Sequence, residues 1–333
     1  MNILLATDGS RCADAAAQML FCLGLPAGAR VKVMTVLPKV AETPRLSEAT
    51  QEVIEAASRA HEDAAAQLTR EMAKAFAVVG CQGDAAVLHG RPADQIVRAA
   101  CGTDLVVLGA KGRADIKKFM LGDVSQKVVR YAPTSVLVVR PFPASDASSE
   151  FLPTRPTPLR VLVATDGSEY VAAGIALLSR FRLHPQTQIS VAHVIKRFHP
   201  LFAPRVAPGM RSEYQRAMRE IREEEDGAAT RIVTQAQETL ASTGVHVDTF
   251  VIEGEPAEQV VSLTRTRKPH LVVVGSSGLT GIKAFLLGSV SQKVVKYTAC
   301  SVLVARHGAA GGVSPLTETT QESEKPTWSP LLD

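Results

Sequence analysis

FLLGSVSQKVVKYTACSVLVAR occupies Phe285–Arg306, and FMLGDVSQKVVRYAPTSVLVVR occupies Phe119–Arg140. Of the 22 aligned positions, 15 are identical. Each copy reads as a glycine turn, a helical SQKVV segment, and a five-residue run of valine, leucine and serine. Outward from this block the duplication continues. HGRPADQIV at His89–Val97 returns as EGEPAEQVV at Glu253–Val261, and ATDGS at Ala6–Ser10 returns at Ala164–Ser168. The blocks keep their order, so one domain is written twice in tandem.

Short apolar runs recur within each copy: ILLAT, VKVMTV, AAVLH, DLVVLG and SVLVV, then VLVAT, ISVAHV, VDTFVI, HLVVVG and SVLVA. Such continuous runs suit strands buried on both faces. Helical stretches separate them. In the longest of the first copy, Val53, Ala57, Ala60, Ala64, Leu68, Met72 and Phe76 mark one face at helical spacing. Its counterpart, starting RSEYQRAMREIREEEDG, carries charges that read as a solvated face. Alternation of this kind implies an α/β fold: two tandem five-stranded, parallel, doubly wound Rossmann-like sheets flanked by helices. The expected domains are 1–140 and 159–306. Between them, 141–158 is rich in proline and serine and reads as a linker. Residues 307–333 read as a disordered tail, and hold the only tryptophan, Trp328. The final runs, SVLVVR and SVLVAR, would be apolar sheet edges in need of cover.

With 333 residues and a formal charge of +4, the chain has room for two cores but lacks the basic stripe of a nucleic-acid binder. The five cysteines have no CxxC spacing and read as free thiols in a reducing compartment. No run approaches the ~18 apolar residues of a membrane span. MNILLATDGS lacks the basic start of a signal peptide. The expected location is the cytoplasm.

Ligands of doubly wound sheets sit beyond the carboxyl ends of strands. There the sequence places Asp8 and Asp166, each followed by a glycine and then a serine. Either residue of each pair could cap the next helix; the carboxylate could instead hold a ligand hydroxyl or amine. Each copy has a single acid here, against the acid cluster of a phospho-receiver. The fourth strands end at Gly109 and Gly275, the loops turn at Gly112 and Gly278, and Gly122 and Gly288 precede the last helices. Free N–H groups at a helix start, with the helix dipole, attract anions, so this reads as phosphate-binding backbone. The full spacing occurs twice, each time after an apolar strand. GxxxxGK[ST], GxGxxG after a first strand, HExxH and nucleophile-elbow patterns are absent. His89 and His193 read as packed or hydrogen-bonded histidines.

ATDGS with G-x2-G-x9-G-[S/T] resembles the universal stress protein family, over residues 1–140 and 159–306. The resemblance implies the five-stranded fold and, in many members, ATP, with or without Mg²⁺. It implies that Ala164, Thr165 and Asp166 meet the adenosine, that backbone at Val194 holds the adenine, and that Gly275, Gly278, Gly288, Ser289, Val290 and Ser291 surround the phosphates. Asp8, Val36, Gly109, Gly112 and Gly122 are the counterparts in the first copy. That copy carries Asp123 where the pattern has Ser or Thr, which suggests an acid replacing the phosphate charge in a retired site. Against this, Lys111, Arg113, Lys117 and Lys118 make its loop basic. The expected function is regulatory ATP binding, with the two domains packed as a pseudo-dimer, room for a homodimer, an unidentified protein partner, and neither nucleic acid nor membrane. The alternatives are a slow ATPase or phosphotransferase and a nucleotide-free interaction module.

Overall fold

The computed structural model describes residues 1–38, 47–112, 121–141, 156–197, 210–278 and 287–307. The expected disordered tail and most of the linker lie outside these residues, as do Arg113, Lys117 and Lys118.

All ten strand runs form strands. The first copy contributes β1 (Asn2–Ala6), β2 (Arg30–Leu37), β3 (Gln82–His89), β4 (Leu105–Gly109) and β5 (Ser135–Val139). The second contributes β6 (Arg160–Ala164), β7 (Gln188–Ile195), β8 (His246–Glu253), β9 (Leu271–Gly275) and β10 (Ser301–Ala305). The helices are α1 (Arg11–Leu23), α2 (Glu48–Val78), α3 (Pro92–Ala99) and α4 (Asp123–Tyr131), then α5 (Glu169–Ser179), α6 (Arg211–Ala241), α7 (Pro256–Arg267) and α8 (Ser289–Tyr297). Strand order is β3-β2-β1-β4-β5-β10-β9-β6-β7-β8, a single ten-stranded sheet. Pairing is parallel inside each copy. The order reverses between β1 and β4, and again between β6 and β9, which opens the crevice that such sheets use for ligands.

The two copies meet by an antiparallel pairing of β5 with β10: Val302 faces Val138, Leu303 faces Leu137 and Val304 faces Val136. Each apolar final strand therefore covers the other. Two arginines lock the join reciprocally. Arg140 Nη2 donates to the Val295 carbonyl of α8 at 3.0 Å, and Arg306 Nη2 donates to the Val129 and Arg130 carbonyls of α4 at 2.8 and 3.1 Å. A guanidinium suits this place, because the last carbonyls of a helix carry partial negative charge. Apolar clusters span both copies on both sheet faces, α1, α2, α5 and α6 on one and α3, α4, α7 and α8 on the other. At their border Arg180 meets Asp104 at 2.9 Å.

Two expectations change. The outermost strands, β3 and β8, are half-exposed instead of buried on both faces, because an edge strand has a neighbour on one side only. In α2, Val53 is 68% exposed, and Ala57, Ala60 and Ala64 are exposed too. The buried seam is Ala65, Thr69, Ala73 and Phe76, with Leu68 and Met72 half-buried. The reason is length. A helix of 31 residues runs for about 46 Å. The eight-residue strands beneath it run for about 26 Å, so its first half overhangs the sheet. All five cysteines are free, and burial pushes the Cys300 thiol up to about 11. Among the described residues no helix is long and apolar enough to cross a membrane.

Leu303 is 2% exposed at the centre of the join, so Leu303→Ala should cost about 2–5 kcal/mol. Urea unfolding should show that loss in one transition for both copies; a loss in one half alone would contradict the continuous core. The Asp104–Arg180 link has a pH signature. Burial raises the Asp104 carboxyl, but hydrogen bonds from Arg180 and the Asn2 amide outweigh it and hold it below the ordinary range. A lowered carboxyl stabilises above its unfolded value, about 3.9, and loses that stabilisation as pH falls through its folded value. Wild type should thus lose stability more steeply than Asp104→Asn below about pH 4, as read by urea midpoints across the acid range.

Candidate functional site

The carboxyl ends of β6 and β9 bring the second-copy residues together. Asp166 follows β6 in a tight turn: its Oδ1 accepts from the Ser168 amide at 2.9 Å, and the Gly167 amide donates to Thr165 Oγ1 at 3.1 Å. Gly167 holds φ +80°, a left-handed conformation that glycine adopts freely. The other oxygen of Asp166 lies against the loop that follows β9. A Cβ built on Gly278 would stand 3.0 Å from Asp166 Oδ2. One built on Gly275 would stand 3.0 Å from Val171 Cγ2 and 3.1 Å from the Ser277 carbonyl. Glycine at these two positions therefore lets the carboxylate and the loop approach. The Gly288 amide donates to the Ser276 carbonyl at 2.7 Å, which returns the chain to the start of α8. Gly288 is the N-cap of α8 and supplies no side-chain bond. Among the described residues no side chain caps the first-turn amides of α8, the condition for holding an anion.

The other candidates take distinct places. Ser289 is exposed at the first position of α8, and Val290 is half-buried behind it. Ser291 is buried, and its hydroxyl donates to the Gly275 carbonyl, so that group is committed to the fold and only its backbone faces the loop. Ala164 ends β6, and the Thr165 amide donates to the Ala192 carbonyl of β7 at 2.9 Å. Val194 lies two residues further along β7, half-buried.

Two supports come from the fold: His193, read from the sequence as packed or hydrogen-bonded, gains its partner, and Arg197, which the sequence did not mark, gains three. His193 Nδ1–H donates to the Thr165 carbonyl at 2.8 Å, pinning the Asp166 turn; since a carbonyl only accepts, Nδ1 carries the proton. Arg197, just past β7, binds Glu225 at 3.1 Å and Asp226 and Glu253 at 2.7 Å each. Those contacts, Glu253 foremost, hold its guanidinium above its ordinary range. Two charges of α6 assigned to a solvated face are thereby tied to the end of β7, because the overhanging helix passes it.

The first copy repeats the backbone with different side chains. Asp8 Oδ1 accepts from the Ser10 amide at 3.0 Å, and a Cβ on Gly112 would lie 2.8 Å from Asp8 Oδ2. Ser10 caps α1 by accepting from the Ala13 amide at 3.3 Å, whereas Ser168 makes no cap bond and its buried Oγ has no partner. Serine capping thus applies to one copy of two. Ser125 Oγ donates to the Gly109 carbonyl at 2.8 Å. Thr35 donates to the Thr7 carbonyl at 2.9 Å, in the place of His193, and Val36 is half-buried next to it. Gly122 is the N-cap of α4, again with no side-chain cap. Asp123 does not fold back over these amides. Its Oδ2 accepts from Lys127 at 2.8 Å, one turn along, with the carboxylate 78% exposed.

The universal stress protein profile matches residues 1–140 and 159–306. The chain belongs to the universal stress protein family. Its tandem layout is shared by the universal stress protein Rv1996 of Mycobacterium tuberculosis, 28% identical over 327 residues that cover 92% of this chain and 95% of that one. Among solved structures, a universal stress protein from Archaeoglobus fulgidus matches the fold with a TM-score of 0.55, at 18% identity, over 92% of this chain and 98% of its own. A universal stress protein family member from Arabidopsis thaliana, solved with AMP bound, is 18% identical over 46% of this chain and 94% of its own, with a TM-score of 0.34.

Within this universal stress protein fold, Ser291→Ala should strand a buried carbonyl and cost about 1–3 kcal/mol. Ser289→Ala, at an exposed position, should change stability by less than about 0.5 kcal/mol. Urea denaturation of the two variants checks both; equal losses would show that the Ser291 hydroxyl is not what fastens α8 to β9.

Proposed function

We propose that this protein is a cytoplasmic ATP-binding regulator whose second copy holds the nucleotide. The observation that carries the reading is the helix start at Gly288–Ser289, which no side chain caps among the described residues and which is set beside a glycine loop in contact with Asp166. In this reading the triphosphate takes the amides of Gly278, Gly288, Ser289, Val290 and Ser291, with the Ser289 hydroxyl as a further donor. Asp166 accepts from the ribose, and backbone at Val194 receives the adenine, with Ala164 and Thr165 beneath. Mg²⁺ would screen the phosphate charge. The fit is chemical: an anion needs donors, and a glycine N-cap leaves them available.

The first copy, with Asp8, Val36, Gly109, Gly112 and Gly122, is the weaker site in this reading. Asp123 sets a negative charge at the first position of α4, where a phosphate would arrive. Lys127 is turned to Asp123 and offsets the charge locally, and solvent screens the pair. The domains bind ATP in a ratio of one per chain, and occupancy biases association with another chain or a regulatory protein. No general base is positioned at either loop among the described residues, so slow hydrolysis is the lesser reading.

Calorimetry with Mg·ATP tests this. One ATP per chain is expected, and none for Gly288→Val. A Cβ at Gly288 meets its nearest atom, the Ser276 carbonyl oxygen, at 3.4 Å, so the variant should fold and fail only to bind. Asp123→Ser should raise the first-copy affinity by about three- to fivefold, the worth of one screened charge. Two equal sites in wild type would overturn the asymmetry, and none would remove ATP from the function.

A further inference from the structure

We infer that the cleft between the two copies is a second ligand site, built for a small organic oxyanion, a carboxylate or phosphate carried on an apolar body. The antiparallel join sets the carboxyl end of β10 beside the amino end of β5. There the chain leaves a cleft of about 870 Å³, lined by residues 100–104, residues 133–135, the outer face of α5, and Arg306 with His307. That volume lies within the range of small-molecule sites.

Its floor carries the recognition group. Arg306 is 7% exposed. One guanidinium nitrogen, Nη2, is used on the two α4 carbonyls. The buried Nε has no partner, and Nη1 makes no hydrogen bond among the described residues. Among the described residues no carboxylate pairs with this arginine. A buried charge without a counter-ion is costly unless an anion completes it. Of the two acids that line the cleft, Asp104 binds Arg180 at 2.9 Å, and Glu169 stands at the exposed mouth, 4.0 Å from His307. Stapling α4 uses Nη2, and Nε is sealed in the interior; Nη1 is left as the donor that Arg306 brings to the cleft it lines. Between Glu169 at its start and Arg180 at its end, the middle of the α5 wall consists of Ala172, Ala173, Ala176 and Leu177. It offers apolar surface and no donors, which selects a ligand with an anionic head and a hydrocarbon or aromatic body. The site is separate from the glycine loops, although Ala305, the residue before Arg306, accepts from the Ser276 amide at 2.7 Å.

Phenyl phosphate and benzoate serve as probes, titrated into the full chain with ligand-observed NMR. Saturable binding of at least one is expected, and the tighter of the two names the head group. Arg306→Gln should weaken it by at least about tenfold, the effect of removing one charge-assisted contact. Ala172→Phe fills the cleft from an exposed helix position without touching Arg306, so it should also abolish binding, and it keeps the test open if Arg306→Gln fails to fold. Gly288→Val should leave it unchanged. The inference is overturned if neither probe saturates, if Ala172→Phe binds like wild type, or if Gly288→Val or excess ATP removes the binding, which would assign it to the nucleotide loop.

Discussion

Everything else in this molecule depends on the antiparallel pairing of β5 with β10. Two parallel five-stranded sheets could be joined in other ways, but each ends in a strand that is apolar after its first serine and must be covered. Pairing these strands to each other buries both and turns two half-sheets into one. Because the pairing is antiparallel, the carboxyl ends of the two halves point in opposite directions. The two glycine loops consequently lie at opposite ends of the sheet and cannot share a ligand. The same geometry brings the carboxyl end of one copy against the amino end of the other, and the inter-domain cleft is the space that remains. Arg140 and Arg306 complete the arrangement from either side, each reaching the helix of the other copy.

Duplication preserved the scaffold and let the side chains at its ligand ends diverge. The hydroxyls of Ser125 and Ser291 hold the strand-four carbonyl in both copies. Around that common frame, the second copy has a serine at the helix start, a histidine under the aspartate turn and an ion cluster at Arg197 near the sheet edge. The first copy has Asp123 paired to Lys127, a threonine under its turn, and His89 at the end of β3 lying 3.8 Å from Glu62. At the helix start the second crevice presents the Ser289 hydroxyl where the first presents the Asp123 carboxylate.

Strands, helices and loop glycines were legible because each is a local pattern: an apolar run, a 3-to-4 spacing, a glycine at a fixed offset. The buried face of α2 was legible only where sheet lies beneath it. Val53 and Ala57 keep the periodicity, but they extend past the strand ends, and local spacing carries no information on that. The arginines at the ends of the quoted repeats were visible as letters. Their roles were not, since the carbonyls they reach are 155 and 177 residues away in the chain. The Arg197 cluster hid for the same reason: its acids looked like any solvated helix charge until the fold set the end of β7 beside them. The turn of Asp123 toward Lys127, in contrast, is an i,i+4 pair that helical spacing alone could have suggested.

Amide hydrogen exchange with and without Mg·ATP addresses the asymmetry between the copies most directly, because it reports each loop by itself. Slowed exchange confined to the amides of 276–278 and 288–291, with 110–112 and 122–125 unchanged, is the expected result. Equal protection at both loops, or none at either, would contradict a nucleotide site held by the second copy alone.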